Sequence, residues 1–194
     1  MHLRQSDATA LLRLSSQRKR DLLDYFENNV DELDRWREFN AAYHEDDYKF
    51  MQFLIPPGKR VLELGCGRGD LLASLKPSYG IGIDFGAETI ARAGARYPGL
   101  HFVLGDVEDP QTLSAIEGPF DYIVIADTIG MFEDIDGTLR LIHQVWAIPG
   151  RVKLLDQNVQ RVRLQGEHPR ARDVYQGFCP LLANGHLGNL GGQS

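Results

Sequence analysis

Four short runs of mostly apolar residues organise the middle of the chain, and segments of helical period separate them. The runs cover residues 60–64, 81–83, 101–104 and 122–126. Their apolar positions are continuous rather than alternating, which is typical of parallel strands covered on both faces. The pattern therefore predicts four buried strands of one parallel sheet.

Two segments between and after these runs have the spacing of amphipathic helices. Residues 87–97 and 136–146 carry apolar side chains at helical intervals, and Pro-Gly pairs at Pro98 and Pro149 predict where the helices stop. The alternation of strands and helices predicts an α/β fold, with a doubly wound, mostly parallel sheet and helices on both faces.

The first part of the chain has a different pattern. Between residues 16 and 39, apolar side chains recur at steps of four, four, three and three, at Leu22, Phe26, Val30, Leu33 and Trp36. This spacing predicts one long helix that packs its apolar face on the domain. A second segment, residues 43–54, leads to the first strand.

Composition narrows the possible functions. The chain has 194 residues, which suggests one domain, and a net charge of −6, which weighs against a protein built mainly to bind nucleic acid or anionic lipid. No apolar run approaches the ~18 residues of a membrane span, and no signal peptide is predicted. Cys66 and Cys179 match no disulfide or zinc pattern, so a reducing, cytoplasmic location is expected.

Glycine is concentrated where ligand chemistry is expected. Ten of the 20 glycines lie between Gly58 and Gly105, and residues 63–69 read Glu-Leu-Gly-Cys-Gly-Arg-Gly between a strand and a helix. Such a turn lets a ligand approach the main chain closely. A dinucleotide fingerprint needs a small residue where Asp70 stands, and a phosphate-binding loop needs Gly-Lys-Ser/Thr. The loop suits a nucleoside with an amino-acid tail and no phosphate.

An acidic residue stands near the end of each of the four strands. Glu63, Asp84, Asp106 and Asp127 follow one another at intervals of 21, 22 and 21 residues. Ligands of open α/β sheets bind at the carboxyl ends of the strands. The four acids predict a ligand site at that edge, with helix or turn capping as the alternative for each one.

These motifs, spread over residues 43–156, resemble the class I S-adenosylmethionine-dependent methyltransferases. The resemblance implies that the glycine loop holds the methionine part of the cofactor, that Asp84 binds both ribose hydroxyls, and that Asp106 and Val107 read the adenine. It also places the end of the fourth strand beside the methyl group. The implied cofactor residues are Glu63, Gly65, Cys66, Gly67, Gly69, Asp84, Phe85, Asp106, Val107 and Asp127.

The resemblance implies direct methyl transfer from S-adenosylmethionine to a small molecule or glycan precursor. Asp127 and His44 are candidates for acceptor binding or proton removal, with a turn cap and ordinary packing as the alternatives. Candidate acceptor contacts are Tyr43, Tyr48, Met131 and Phe132. A catalytically silent cofactor-binding or partner-binding module is the alternative function, and Asp70 argues against an NAD-dependent oxidoreductase.

No metal is expected, although some relatives in this family bind magnesium through residues after the fourth and fifth strands. Asp127 and the Asp156-Gln157-Asn158 segment are loosely placed for this, but Gln157 separates the acid from the amide. The oligomeric state is not predicted.

Three regions follow from these patterns. Residues 1–55 are a helical cap, residues 56–157 the cofactor-binding domain, and residues 158–194 a poorly ordered or truncated end. Residues 151–155 are a fifth strand, whereas only 37 residues follow Gln157 and residues 184–194 are rich in glycine and asparagine. We expect the last strands of this fold to be missing or altered.

Overall fold

The fold is described from a computed structural model. It covers Leu14, residues 16–143 and Val145 with their side chains, and the backbone of residues 146–155 and 174–175. The end of the chain that is predicted to be poorly ordered or truncated, residues 158–194, lies outside the described residues except for the backbone of residues 174–175.

Within the described residues, three helices precede the sheet: α1 (Gln17–Asn28), α2 (Val30–Phe39) and α3 (Ala41–Leu54). The prediction of one continuous helix from residue 16 to residue 39 was wrong. The chain breaks at Asn29, whose side-chain amide donates to the carbonyl of Tyr25 at 2.7 Å. Asparagine offers the last turn of α1 a side-chain partner, and this bond competes with continuing the helix. Hydrophobic spacing alone does not register such a break.

In the part of the chain that the structure describes, six strands form one sheet in the order β3-β2-β1-β4-β5-β6, and every neighbouring pair is parallel. The predicted parallel α/β fold is therefore confirmed. The remaining elements in chain order are β1 (Arg60–Leu64), α4 (Asp70–Ser74), β2 (Tyr79–Asp84), α5 (Ala87–Arg96), β3 (His101–Leu104), α6 (Pro110–Ser114), β4 (Phe120–Ala126), a 3₁₀ turn (Ile129–Met131), α7 (Ile135–Ile142), β5 (Trp146–Leu155) and β6 (Val174–Tyr175).

The prediction of a helix reaching residue 146 was also wrong. Helix α7 ends at Ile142, and β5 already begins at Trp146. The partners of β4 on β5 jump from Trp146 to Arg151, so that residues 147–150 bulge out of the ladder. Pro149 lies in this bulge because proline has no N–H to donate to a neighbouring strand. The Pro-Gly pair therefore marks an irregular strand rather than a helix end.

Both faces of the sheet are buried, as a parallel sheet requires. Along β1, Leu62 and Leu64 belong to one hydrophobic cluster and Val61 belongs to the other. Met51 and Ile55, at the end of α3, join Val61 in the second cluster. The last of the N-terminal helices is therefore part of the domain core.

The strand order places a crevice at the carboxyl edge of the sheet. Strand β1 lies between β2 and β4, so the chain crosses to opposite sides from this point, and ligands of open α/β sheets bind at such a switch point. Among the described helices, none combines the length and the apolar composition that a bilayer crossing needs.

The core position of α3 predicts unequal effects for two substitutions in that helix. Met51 is 1% exposed and Phe53 is 85% exposed. We expect Met51→Ala to lower the free energy of unfolding by about 2–5 kcal/mol, because it leaves a cavity in the core. Phe53→Ala, the matched control, should change it by less than about 0.5 kcal/mol. Urea unfolding measures both, and equal losses would contradict the packing of α3.

Candidate functional site at the carboxyl edge of the sheet

The glycine loop between β1 and α4 adopts a backbone conformation that residues other than glycine rarely adopt. Gly65, Gly67 and Gly69 have φ values of 74°, 50° and 75°, in the left-handed region that favours glycine. A Cβ atom on Gly65 would also collide with the side chain of Thr128, which follows β4. The loop is thus pressed against the turn after β4, and its main chain stays open to the crevice.

Asp84, the last residue of β2, fixes the loop to the neighbouring strand. Its Oδ2 accepts from the Gly67 N–H and its Oδ1 accepts from the Gly86 N–H, each at 2.9 Å. Burial raises the pKa of this carboxyl, and the backbone N–H groups of Gly86 and Gly67 oppose that rise. Each carboxylate oxygen has a second lone pair, so Asp84 can accept from a ligand as well.

Glu63 is a buried acid whose hydrogen bonding is incomplete. It is 2% exposed, and its Oε2 has no hydrogen-bond partner among the described residues. Burial raises the pKa of Glu63 to about 8, and the nearby Arg37 acts in the opposite direction. A buried acceptor without a donor destabilises the fold. A ligand that donates an N–H to Oε2 would remove this cost, which would favour its binding.

Arg37, on α2, lies over the same loop. A Cβ on Gly67 would stand 3.5 Å from its Nη2 atom. Asp34, one turn earlier in α2, holds the helix there by pairing with Arg68 at 3.2 Å and with Arg92 at 3.0 Å. Arg37 itself takes part in none of the salt bridges within the described residues. Its positive charge is available to a ligand on the loop.

The other end of the crevice is closed by α1. The Nζ of Lys19 lies 2.5 Å from Oδ2 of Asp106 and 2.7 Å from Oε2 of Glu108. The cavity that remains is about 40 Å³ in volume. It is bounded by Lys19 and Leu22 of α1, and from the sheet side by Gly65, Asp84, Phe85, Asp106, Val107, Met131 and Phe132.

Comparison with known proteins assigns this arrangement to a family. The sequence profile described as "Methyltransferase domain" matches residues 33–191. The chain belongs to this methyltransferase family. The resemblance to class I S-adenosylmethionine-dependent methyltransferases is thereby confirmed, and S-adenosylmethionine is the cofactor of the family.

Individual methyltransferases share part of the chain. The ubiquinone/menaquinone biosynthesis C-methyltransferase UbiE of Stenotrophomonas maltophilia K279a is 29% identical over 110 residues, which are 53% of this chain and 44% of that protein. This chain thus spans about half the length of the curated relatives it matches.

Solved structures agree with the fold. A TehB-like SAM-dependent methyltransferase from Corynebacterium glutamicum is 27% identical with a TM-score of 0.54, over 66% of this chain and 71% of that one. The YcgJ protein from Bacillus subtilis has a TM-score of 0.53 at 23% identity, over 59% and 51% of the two chains, and supports the fold alone.

The structure places the predicted cofactor residues in two groups. Five of the predicted cofactor residues line one cavity, namely Gly65, Asp84, Phe85, Asp106 and Val107. In contrast, the Cys66 side chain packs under β2, where it would meet a Cβ on Gly82, and a Cβ on Gly69 would collide with the Phe102 ring. The Cys66 side chain and the lack of one at Gly69 therefore fit the loop onto the sheet, and the N–H groups of these two residues already donate to the carbonyls of Ile83 and Cys66.

The predicted acceptor contacts also separate into two places. Met131 and Phe132 line the same cavity as Asp84 and Asp106. Tyr43, His44 and Tyr48 of α3 instead form an aromatic cluster with Trp36, with the His44 ring centroid 5.6 Å from that of Trp36 and 6.4 Å from that of Tyr48. They are not among the residues that line the cavity.

His44 and Asp127 have unusual local environments. Burial, followed by the charge of Arg37, lowers the pKa of His44 to about 4, so its ring is neutral at pH 7. The His44 Nε2 atom is buried without a hydrogen-bond partner among the described residues. Asp127 follows β4 directly with φ of 52°, a conformation that aspartate tolerates better than most side chains.

Two residues of this site escaped the sequence analysis. The first is Lys19, which is buried in α1 together with Leu23. Its position one turn before this leucine was the signal that α1 directs a charge towards the core. Arg37 lies among the many charged residues of α2, and nothing in its spacing distinguishes it. Only the fold brings it to Gly67.

No group of three or more His, Cys, Asp or Glu side chains is arranged to hold a metal ion in the part of the chain that the structure describes. The Asp156-Gln157-Asn158 segment, which the magnesium alternative requires, lies outside the described residues.

The raised pKa of Glu63 predicts a pH-dependent stability difference. The carboxyl stays protonated in the folded state up to pH about 8, whereas it ionises in the unfolded chain above its ordinary value of about 4.3. Unfolding then releases a proton, so raising the pH destabilises the fold. Relative to Glu63→Gln, the wild type should lose up to ~1.4 kcal/mol of unfolding free energy per pH unit between pH ~5 and ~8.

Urea unfolding of both proteins at each pH measures this difference. Near pH ~3, where the carboxyl is mostly protonated in both states, the pH dependence of the difference should vanish. Parallel pH curves for the wild type and Glu63→Gln across the whole range would show that Glu63 ionises normally in the folded protein.

Proposed function

We propose that this chain binds S-adenosylmethionine and transfers its methyl group to a small-molecule acceptor. One observation carries the proposal. Beside the glycine loop of a methyltransferase fold lie a buried acceptor and a cation, Glu63 Oε2 and Arg37, which have no hydrogen-bond partner and no salt bridge, respectively, among the described residues. An amino-acid zwitterion complements both, since its ammonium group donates to Glu63 and its carboxylate accepts from Arg37.

The remaining cofactor contacts follow the strand ends. Asp84 accepts from the ribose hydroxyls with the lone pairs that its two backbone donors leave free, and Phe85 lies beside it. Asp106 and Val107 face the adenine. The proposed loop contacts are Gly65, Cys66, Gly67 and Gly69, through the main chain. The cofactor supplies an activated methyl group, so the main contribution of the chain is to position the cofactor and the acceptor relative to each other.

The acceptor side is proposed to involve the turn after β4 and the aromatic cluster of α3. Asp127 holds the acceptor beside the methyl group and takes its proton if one must leave. His44 is neutral at pH 7 and hydrogen-bonds the acceptor through Nε2, with Tyr43 and Tyr48 as neighbours. Met131 and Phe132 add apolar contacts. These rings, and the quinone named for the UbiE relative, support an apolar small molecule over a glycan precursor.

Binding of two ligands tests the role of the loop. S-adenosylhomocysteine has the amino-acid tail, whereas 5′-methylthioadenosine lacks it. We expect Arg37→Gln to weaken S-adenosylhomocysteine binding about tenfold or more, because a charged hydrogen bond contributes about 1.5–3 kcal/mol. Methylthioadenosine binding should stay within about twofold of its wild-type value. Calorimetry measures both affinities.

The control is Arg35→Gln, which removes the same charge from the exposed side of α2 and should leave both affinities unchanged. Equal losses for the two ligands in Arg37→Gln would remove Arg37 from the tail site. A wild-type protein that binds neither ligand would overturn the proposed function.

Turnover is tested separately with radiolabelled S-adenosylmethionine and a panel of phenols, quinols and sugar nucleotides. We expect label in the phenols or quinols. Asp127→Asn, which tolerates the same backbone, should lower the transfer rate about 10²-fold and leave S-adenosylhomocysteine affinity within about twofold. Binding without transfer to any acceptor would favour the silent module, and an undiminished rate in Asp127→Asn would exclude its proposed role.

A further inference from the structure

Lys19 forms the most buried ion pairs of the described residues. Its side chain is 7% exposed, and those of its partners Asp106 and Glu108 are 9% and 10% exposed. The hydrogen bonds and charges of these two acids raise the pKa of Lys19 against the effect of its burial, so the lysine is charged. Helix α1 therefore holds a buried ammonium group between two carboxylates, unlike the exposed ion pairs of a protein surface.

Lys19 uses the oxygen that a ligand would need. Oδ1 of Asp106 accepts from the Glu108 N–H at 3.0 Å, and Oδ2 accepts from Lys19 Nζ. The adenine amino group and the lysine ammonium are donors of the same kind, both N–H groups directed at a carboxylate. With α1 in place, the Lys19 ammonium lies where an amino group bound to Oδ2 would lie.

The rest of α1 spans the same edge of the sheet. Arg18 donates to the carbonyls of Met131 and Gly130 at 3.0 and 3.1 Å, beyond the end of β4. At the other end of α1, Phe26 meets Phe85 edge to face, with ring centroids 6.0 Å apart, beyond the end of β2. Helix α1 therefore contacts the segments that follow β4, β3 and β2.

The remaining space is too small for a nucleoside. The cavity of about 40 Å³ has room for a few water molecules, since one water needs about 10–15 Å³ of such space, whereas small-molecule sites measure roughly 300–1,000 Å³. We propose that α1 is a gate, in which Lys19 competes with the adenine amino group for Asp106 and α1 leaves the edge when the cofactor binds. This inference rests on the proposed function.

The attachment of α1 suits such a movement. Lys19 and Leu23 are the residues of α1 that are buried, and the anchors described above are polar except for the ring of Phe26. The break at Asn29 separates α1 from α2, which Asp34 holds by its own ion pairs. Helix α1 can therefore leave while α2 keeps Arg37 over the loop.

The test compares S-adenosylhomocysteine affinity in three variants by calorimetry. Lys19→Met keeps an unbranched side chain and removes the competing donor, and Arg18→Gln loosens α1 without touching Asp106. Both should tighten binding, Lys19→Met by about fivefold or more, as expected for coupled equilibria. The control Lys49→Met removes a lysine from an exposed ion pair and should leave the affinity unchanged.

Hydrogen exchange gives a second readout. Addition of S-adenosylhomocysteine to the wild type should speed amide exchange in Gln17–Asn28 and slow it in residues 65–70. Circular dichroism establishes that each variant is folded, and Arg18→Gln decides the question if Lys19→Met does not fold.

The outcomes separate the gate from the proposed function. Unchanged or weaker affinity in the folded variants, or slower exchange of α1 in the complex, would overturn the gate while cofactor binding by the wild type stands. Binding by Lys19→Met but not by the wild type would support the gate strongly. Absence of binding in all four proteins would overturn the proposed function and the gate with it.

Discussion

The carboxylate of Asp84, held between the main-chain N–H groups of Gly67 and Gly86, is the contact on which the geometry of the site depends. It ties the glycine loop to the end of β2, while the close approach of Gly65 to Thr128 presses the loop against β4. The left-handed backbone of the loop persists because it is fixed on both sides. Glu63 and Arg37 take their positions relative to this frame.

The site gathers more carboxyl groups than its own donors satisfy. Burial raises the pKa of Glu63 and of Asp84, and Glu63 lacks a donor for one oxygen among the described residues. At the other end, Asp106 and Glu108 receive theirs from Lys19. The same carboxylates that make the edge suitable for a cationic, hydroxyl-rich ligand make it costly without one. Helix α1 lowers that cost at the adenine end.

The strands of the sheet were more predictable from the sequence than the helices around them. Strands buried on both faces leave continuous apolar runs, and the acids at their ends follow the repeat of the βα unit, so β1 to β4 and the positions of Asp84 and Asp106 were predictable. The break at Asn29 depends on one side-chain hydrogen bond, and the bulge of β5 depends on its register with β4. Lys19 and Arg37 act over 87 and 30 residues of separation, which local periodicity does not encode.

The two ends of the site are prepared differently, and this difference sets an order of events under the proposed gate. At the amino-acid end, Glu63 and Arg37 each have capacity left for a ligand, so a tail that binds there meets no competitor. At the proposed adenine end, the Lys19 ammonium occupies the position beside Asp106 Oδ2, so an adenine amino group that replaces it gains only the difference between two donors. The tail therefore provides the binding free energy that displaces α1. A ligand without the tail must displace the helix with adenosine contacts alone.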